Sequence, residues 1–170
     1  MKKQITRHAF LLLMIATMFM ALTACSSNNG NSTKETTSLT PVELNITEIS
    51  QSILDSGVFA DELSQVDSSY SEMLMNITKE EYVSAMIYMG SGATAERLIL
   101  FEAADNTAAA ALEEKCASHV KEQAEAYAGY LPAEVDKLEH AILKTSGKYV
   151  ILCVAEDYSK AEEMIQELFV

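Results

Sequence analysis

Apolar and polar positions divide the chain into three stretches with different periods. Ala9 to Ala21 is an apolar run, interrupted only by Thr17, behind Lys2, Lys3 and Arg7. That order is read by the export machinery as a signal peptide, and the run falls short of the about 20 apolar residues a spanning helix needs. From Ser26 to about Pro41 the chain turns to Ser, Thr, Asn and Gly with single charges at Lys34 and Glu35. Such a segment has too little apolar surface to offset the entropy of ordering and is expected to be a tether, with a typical end-to-end span of about 20–24 Å.

The third stretch alternates between helical and strand periods. Ile46, Ile49, Ile53 and Leu54 predict a first helix, capped by Asn45 or Thr47 and stopped at Gly57. Residues 58–80 are mixed, with a short helix expected around Tyr70 to Ile77. Tyr82 to Met89 and Glu96 to Ala103, joined across Gly90-Ser91-Gly92, predict a hairpin. A long helix follows from about Thr107 to Ala128, striped by Leu112, Cys116, His119, Val120, Gln123 and Tyr127; Leu131-Pro132 ends it and starts a shorter one to about Leu138. Ala141 to Thr145 and Lys148 to Ala155 flank Ser146-Gly147, a second and tighter hairpin, and Tyr149 to Val154 is apolar on both faces, as in a central strand. Ser159-Lys160-Ala161-Glu162 has the form of a capping box ahead of Met164, Ile165 and Leu168.

These elements predict an α+β fold: an N-terminal helix, then two ββα units, with a mostly antiparallel four-stranded sheet covered by helices on one face. A permuted ferredoxin-like arrangement is one topology that fits. Ile99, Leu100, Ala103, Asp105 and Thr107 match Ile151, Leu152, Ala155, Asp157 and Ser159 at a constant offset. A duplicated ββα unit explains the match, and so do two hairpins obeying the same turn and cap rules. The expected organisation is 1–24 signal peptide, 25–44 lipidated cysteine and tether, and 45–170 one globular domain.

Charge narrows the partners. Loss of the signal peptide removes 3 of the 12 Lys and Arg and leaves 9 against 25 Asp and Glu, moving the formal net charge from −13 to −16. Nucleic acid and anionic headgroups are bound through Lys/Arg clusters that this composition lacks. Cys116 and Cys153 have apolar neighbours and are expected to be buried free thiols.

The most specific motif is Leu22-Thr23-Ala24-Cys25. It resembles the lipobox of bacterial lipoproteins, which implies cleavage between Ala24 and Cys25 and a diacylglyceryl thioether on the Cys25 sulfur. Two or three acyl chains, each contributing about 0.8 kcal/mol per buried methylene, would anchor the protein durably on the extracytoplasmic face of the cell membrane. Behind this anchor, Ile49, Leu54, Phe59, Tyr82, the Ser91-Gly92-Ala93-Thr94-Ala95-Glu96 run, Tyr130-Leu131-Pro132-Ala133-Glu134 and Gly147-Lys148-Tyr149-Val150 are similar to a family of Gram-positive bacterial lipoproteins, domain of unknown function 4358. The resemblance implies location and fold and brings no activity with it.

Candidate chemistry is sparse. Ser118-His119-Val120-Lys121 and Lys144-Thr145-Ser146-Gly147 suggest a penicillin-binding pattern, but Ser146 interrupts the Lys-Thr-Gly element and no Ser-x-Asn stands between them. Gly90 to Ala93 joins two strands and precedes no helix, so it is a turn rather than a phosphate cradle. His119 and His140 lack metal-ligand spacing, and no metal or cofactor is expected. Asp105 and Asp157 stand where helix caps belong. Tyr82 and Tyr88, sharing a strand face, and Tyr127 and Tyr130, at the end of the long helix, form the candidate ligand surface; packing under a helix is the competing account. The expected role is a non-enzymatic binding module with an envelope protein or small ligand as partner besides the bilayer. An envelope enzyme on wall or lipid substrates and an accessory subunit of a membrane complex are the alternatives.

Overall fold

The computed structural model describes residues 43–168; Ala24, Cys25 and the segments read as signal peptide and most of the tether lie outside them. Along the described chain run α1 (Ile46–Asp55), β1 (Ser64–Gln65), α2 (Tyr70–Met75), a 3-10 turn (Lys79–Glu81), β2 (Ser84–Met89), β3 (Arg97–Glu102), α3 (Asn106–Tyr127), a second 3-10 turn (Pro132–Glu134), α4 (Val135–Glu139), β4 (Ile142–Ser146), β5 (Tyr149–Val154) and α5 (Tyr158–Leu168). The α+β class is as expected, and each predicted hairpin forms: β2 pairs β3 and β4 pairs β5, both antiparallel.

Side-chain oxygens start α1, α3 and α5. Asn45 accepts from the amides of Thr47 and Glu48, and Asp105 from that of Ala108. The last helix starts two residues earlier than its sequence suggests. Asp157, not Ser159, accepts from the Lys160 amide, so the capping box does not form. The tight turn is shifted the other way, by one residue: Ser146 pairs with Tyr149, leaving Gly147, at φ +57°, and Lys148 as the loop.

Two features depart from expectation. The sheet has five strands in the order β1-β2-β3-β5-β4, and the added β1 is two exposed polar residues opposite Met89 and Tyr88. The sheet is also covered on both faces. Ile99, Phe101, Val150, Leu152 and Val154 pack under Ala109, Leu112 and Cys116 of α3 and Leu138 of α4. Leu98, Leu100, Ile151 and Cys153 pack under Ile46, Ile49 and Ile53 of α1 and Ala161 and Ile165 of α5. The reason is strand alternation: β3 and β5 bury apolar side chains on both sides, and each side needs a cover.

Because β3 and β4 each run antiparallel to β5, they are parallel to one another, and β3-α3-β4 is a split βαβ unit. The strands thus keep the ferredoxin-like part of the expectation, while α5 departs from it by packing opposite α3. The offset match between halves fails as a repeat for the same reason. Ile99 faces α3 whereas Ile151 faces α5, and Leu100 and Leu152 are exchanged likewise. An even offset across this register swaps faces, so turn and cap rules account for the match.

Candidate functional site

Polar side chains gather where β3 begins, beneath the end of α3 and the loop after it. The β2–β3 connection closes on Asp61, whose Oδ2 accepts from the Ser91 amide at 2.8 Å, the Ser91 hydroxyl at 2.8 Å and the Thr94 hydroxyl at 2.9 Å. The Ser91 amide and hydroxyl and the Thr94 hydroxyl hold this carboxyl below its ordinary range. A Cβ on Gly90 would lie 2.6 Å from the same oxygen, so this closure needs glycine there. An internal carboxylate occupies what a phosphate cradle would leave open.

Behind the turn lies a closed ionic cluster. Glu96, 1% exposed, accepts from the Ala60 and Asp61 amides at 2.9 Å each and from Lys137 Nζ at 2.8 Å. Lys137 also meets Glu134 at 3.1 Å and Glu156 at 2.6 Å, and Glu134 accepts from the Ala95 amide. Burial works against the Lys137 ammonium, but its bonds to Glu156, Glu96 and Glu134 outweigh that and hold it above the usual lysine value.

The next residue is treated differently. Arg97, 3% exposed, donates from Nε to Ala95 O at 3.0 Å and from Nη1 to His119 Nε2 at 2.7 Å. A guanidinium can only donate, so His119 accepts through Nε2 and carries its proton on Nδ1, toward the Leu74 carbonyl. Burial, then the Arg97 charge, lowers His119 to about 4, against a smaller opposing effect of that carbonyl. Burial also lowers Arg97, and the groups that oppose it are the phenols of Tyr127 and Tyr130. The Tyr127 hydroxyl donates to Thr94 O at 3.3 Å, and the two tyrosine rings lie 5.1 Å apart.

A family model described as Domain of unknown function (DUF4358) matches residues 57–155, more than half of the chain. The chain belongs to this family. No curated protein and no solved structure matches it. The DUF4358 match contains Arg97, His119, Tyr127, Tyr130, Glu96 and Lys137, and the 91–96 and 130–134 runs that carry the resemblance meet here through Ala95 and Glu134.

The four candidate tyrosines of this DUF4358 chain do not form one surface. Tyr127 and Tyr130 come together, the first 6% and the second 63% exposed. Tyr82 and Tyr88, expected on one strand face, lie on opposite faces: Tyr82 packs on Phe101 with rings 5.3 Å apart, while Tyr88 joins the α1 side, its hydroxyl 3.5 Å from Ser50. Alternation breaks before β2, where the Val83 amide bonds Glu102 O although Ser84 is the residue opposite Glu102, so two residues share one partner as in a bulge.

Other candidates resolve as local structure. Ser118 donates to Glu122 on the exposed face of α3, and Asp105 and Asp157 are caps. His140 stacks on Tyr158 with ring centroids 4.1 Å apart, on a different element from His119. Cys116 and Cys153 are free and buried, and burial pushes each thiol up to about 12. Among the described residues no group of three or more His, Cys, Asp or Glu is placed to hold a metal ion. A groove of about 470 Å³ runs along the open edge of β4 beside α5, lined by Ile142, Lys144, Tyr158, Glu162 and Ile165, on the side of the sheet away from Arg97. Arg97 and the Glu96–Lys137 pair escaped sequence reasoning, because no spacing rule links residues 22 and 41 positions apart.

Proposed function

We propose that the protein is an extracytoplasmic lipoprotein, held at the cell membrane by acyl chains on Cys25, whose domain binds a ligand without transforming it. The observation that carries this reading is Leu22-Thr23-Ala24-Cys25 behind a basic and then apolar N-terminus. The strong negative charge supports an anchor made by lipid rather than by a basic surface. Binding is favoured over catalysis by how the ionisable groups at the start of β3 are used. Glu96, Glu134 and Asp61 bond the protein's own backbone amides, Lys137 is surrounded by carboxylates, and Arg97 stands beside the rings of Tyr127 and Tyr130, the second of which reaches the surface.

The test uses the full-length protein expressed in a bacterial host that processes lipoproteins. The membrane fraction should yield a chain beginning at a thioether-lipidated Cys25, and Cys25→Ser should release the protein or leave its signal peptide uncleaved. A processed, unlipidated form retained in the membrane would overturn the anchor. Incubation of the purified lipoprotein with labelled wall fragments and esters should give no product; turnover lost on Tyr130→Ala would replace the binding role with an enzymatic one.

A further inference from the structure

Arg7 and Arg97 are the two arginines of the sequence, and from Lys34 to Lys160 every other cation is lysine. Outside the segment read as signal peptide, then, a single arginine stands, and it is buried on a central strand. Its surroundings hold it without neutralising it. Both of its hydrogen bonds go to uncharged acceptors, Ala95 O and the imidazole of His119. Among the described residues no carboxylate lies within ion-pair distance of it. The carboxylates near this end of β3 are engaged elsewhere, Glu96 and Glu134 with Lys137 and Glu122 with Ser118. A buried charge without a counter-charge is strongly unfavourable unless something supplies one.

Two of the five guanidinium N–H donors go to Ala95 O and His119 Nε2, and the Tyr127 phenol oxygen is the nearest further acceptor. The next polar groups beside it are the phenols of Tyr127, which is buried, and of Tyr130, which is 63% exposed and whose ring lies 5.1 Å from that of Tyr127. We propose that Arg97 is the receptor for a single carboxylate of an extracytoplasmic ligand, with the Tyr130 hydroxyl as a second donor and the Tyr127 and Tyr130 rings as the wall of the site. The planar fork of arginine matches a carboxylate with two parallel bonds, which the point charge of lysine does not. One guanidinium balances one negative charge; a phosphate dianion would leave the second uncompensated inside a strongly acidic protein. The neutral His119 fixes the fork from the other side and leaves its charge for the ligand.

The proposal rests on the binding role above and supplies its ligand class. The test is nitrogen-15 NMR of the processed lipoprotein in neutral detergent micelles, where the arginine Nε–Hε region holds one resonance. Three probes are titrated at constant ionic strength: an acetylated dipeptide with a free carboxylate, the same dipeptide as its amide, and inorganic phosphate. The acid should shift the Arg97 resonance saturably while the amide and phosphate leave it in place, and Tyr130→Phe, at an exposed position, should weaken the acid about tenfold. A resonance unmoved by the acid, moved equally by the amide, or moved more tightly by phosphate overturns the proposal, as does unchanged affinity in Tyr130→Phe. Failure here leaves the anchored binding role to its own fractionation and turnover tests. Hydrolysis of the dipeptide together with a shift would keep the site and remove the non-enzymatic role.

Discussion

Glu96 and Arg97 are neighbours in the chain, equally buried at the start of one strand, and the fold treats them in opposite ways. Around Glu96 every charge has a partner of opposite sign. Lys137 joins Glu96, Glu134 and Glu156, and the carboxylates reach back to the amides of Ala60, Asp61 and Ala95, so segments far apart in sequence are fastened at one point. Around Arg97 the partners are a carbonyl, a neutral imidazole and phenols. The difference separates two uses of a buried charge. A closed cluster spends its interactions on the protein's own loops, whereas an open one keeps a cation unbalanced beside a buried and an exposed tyrosine.

The largest effect that would test this comparison falls on the closed side. Lys137→Met leaves Glu96 buried beside an apolar side chain, and breaking a buried pair from one end costs about 3–5 kcal/mol. That is a large share of the roughly 5–15 kcal/mol that holds a domain of this size together. Urea unfolding of the full-length protein should show this loss, and adding Glu96→Gln should restore part of it by removing the orphaned charge. A loss below about 1 kcal/mol would mean that the cluster fastens nothing.

Acid should act on the open side through His119. Its folded value, about 4, lies below the ordinary 6.5, so between these values the unfolded chain binds the additional proton. Stability from this group is therefore complete above about pH 6.5 and is lost as pH falls through 4, by an amount on the order of 2–3 kcal/mol. Carboxylates held below their usual range, such as Glu81 beside Lys115 and Glu102 beside Lys148, add a loss of the same sign. The difference between the protein and His119→Gln isolates the imidazole. The two unfolding curves should diverge between pH 6.5 and 4, and parallel curves would show that His119 is not held neutral by its surroundings.

Legibility in the sequence follows the range of the interactions. The caps Asn45 and Asp105, the glycine turns and the apolar run of β5 act within a few residues, and each formed at or beside its expected place. The covering of both faces was missed because it depends on adding the α1 and α5 stripes to strands that are apolar on two sides, a relation across more than 100 residues. β1 had no signal, being two polar residues that pair through backbone alone. At the site, Tyr127 and Tyr130 were visible as the aromatic end of a helix, and their meeting is local. Arg97 carried one cue that pattern analysis passes over: once the segment read as signal peptide is set aside, it is the chain's single arginine. Its burial could not be read, because a charged residue at a strand's first position ordinarily points to water.

The smallest expected change in stability sharpens the comparison most. Arg97→Met removes a desolvated cation that nothing neutralises, which favours folding, and deprives Ala95 O and His119 Nε2 of their donor, which opposes it at about 1–3 kcal/mol for each orphaned group. The two effects are of similar size, so the variant should unfold within about 1–2 kcal/mol of the parent, well short of the loss in Lys137→Met. Its acid sensitivity should shrink as well, since His119 no longer faces a guanidinium and titrates nearer its ordinary value. A loss as large as that of Lys137→Met would show that Arg97 is balanced inside the fold after all. A near-neutral substitution at this buried arginine would instead show a charge the fold does not need for its own stability, which is the condition a ligand's carboxylate requires.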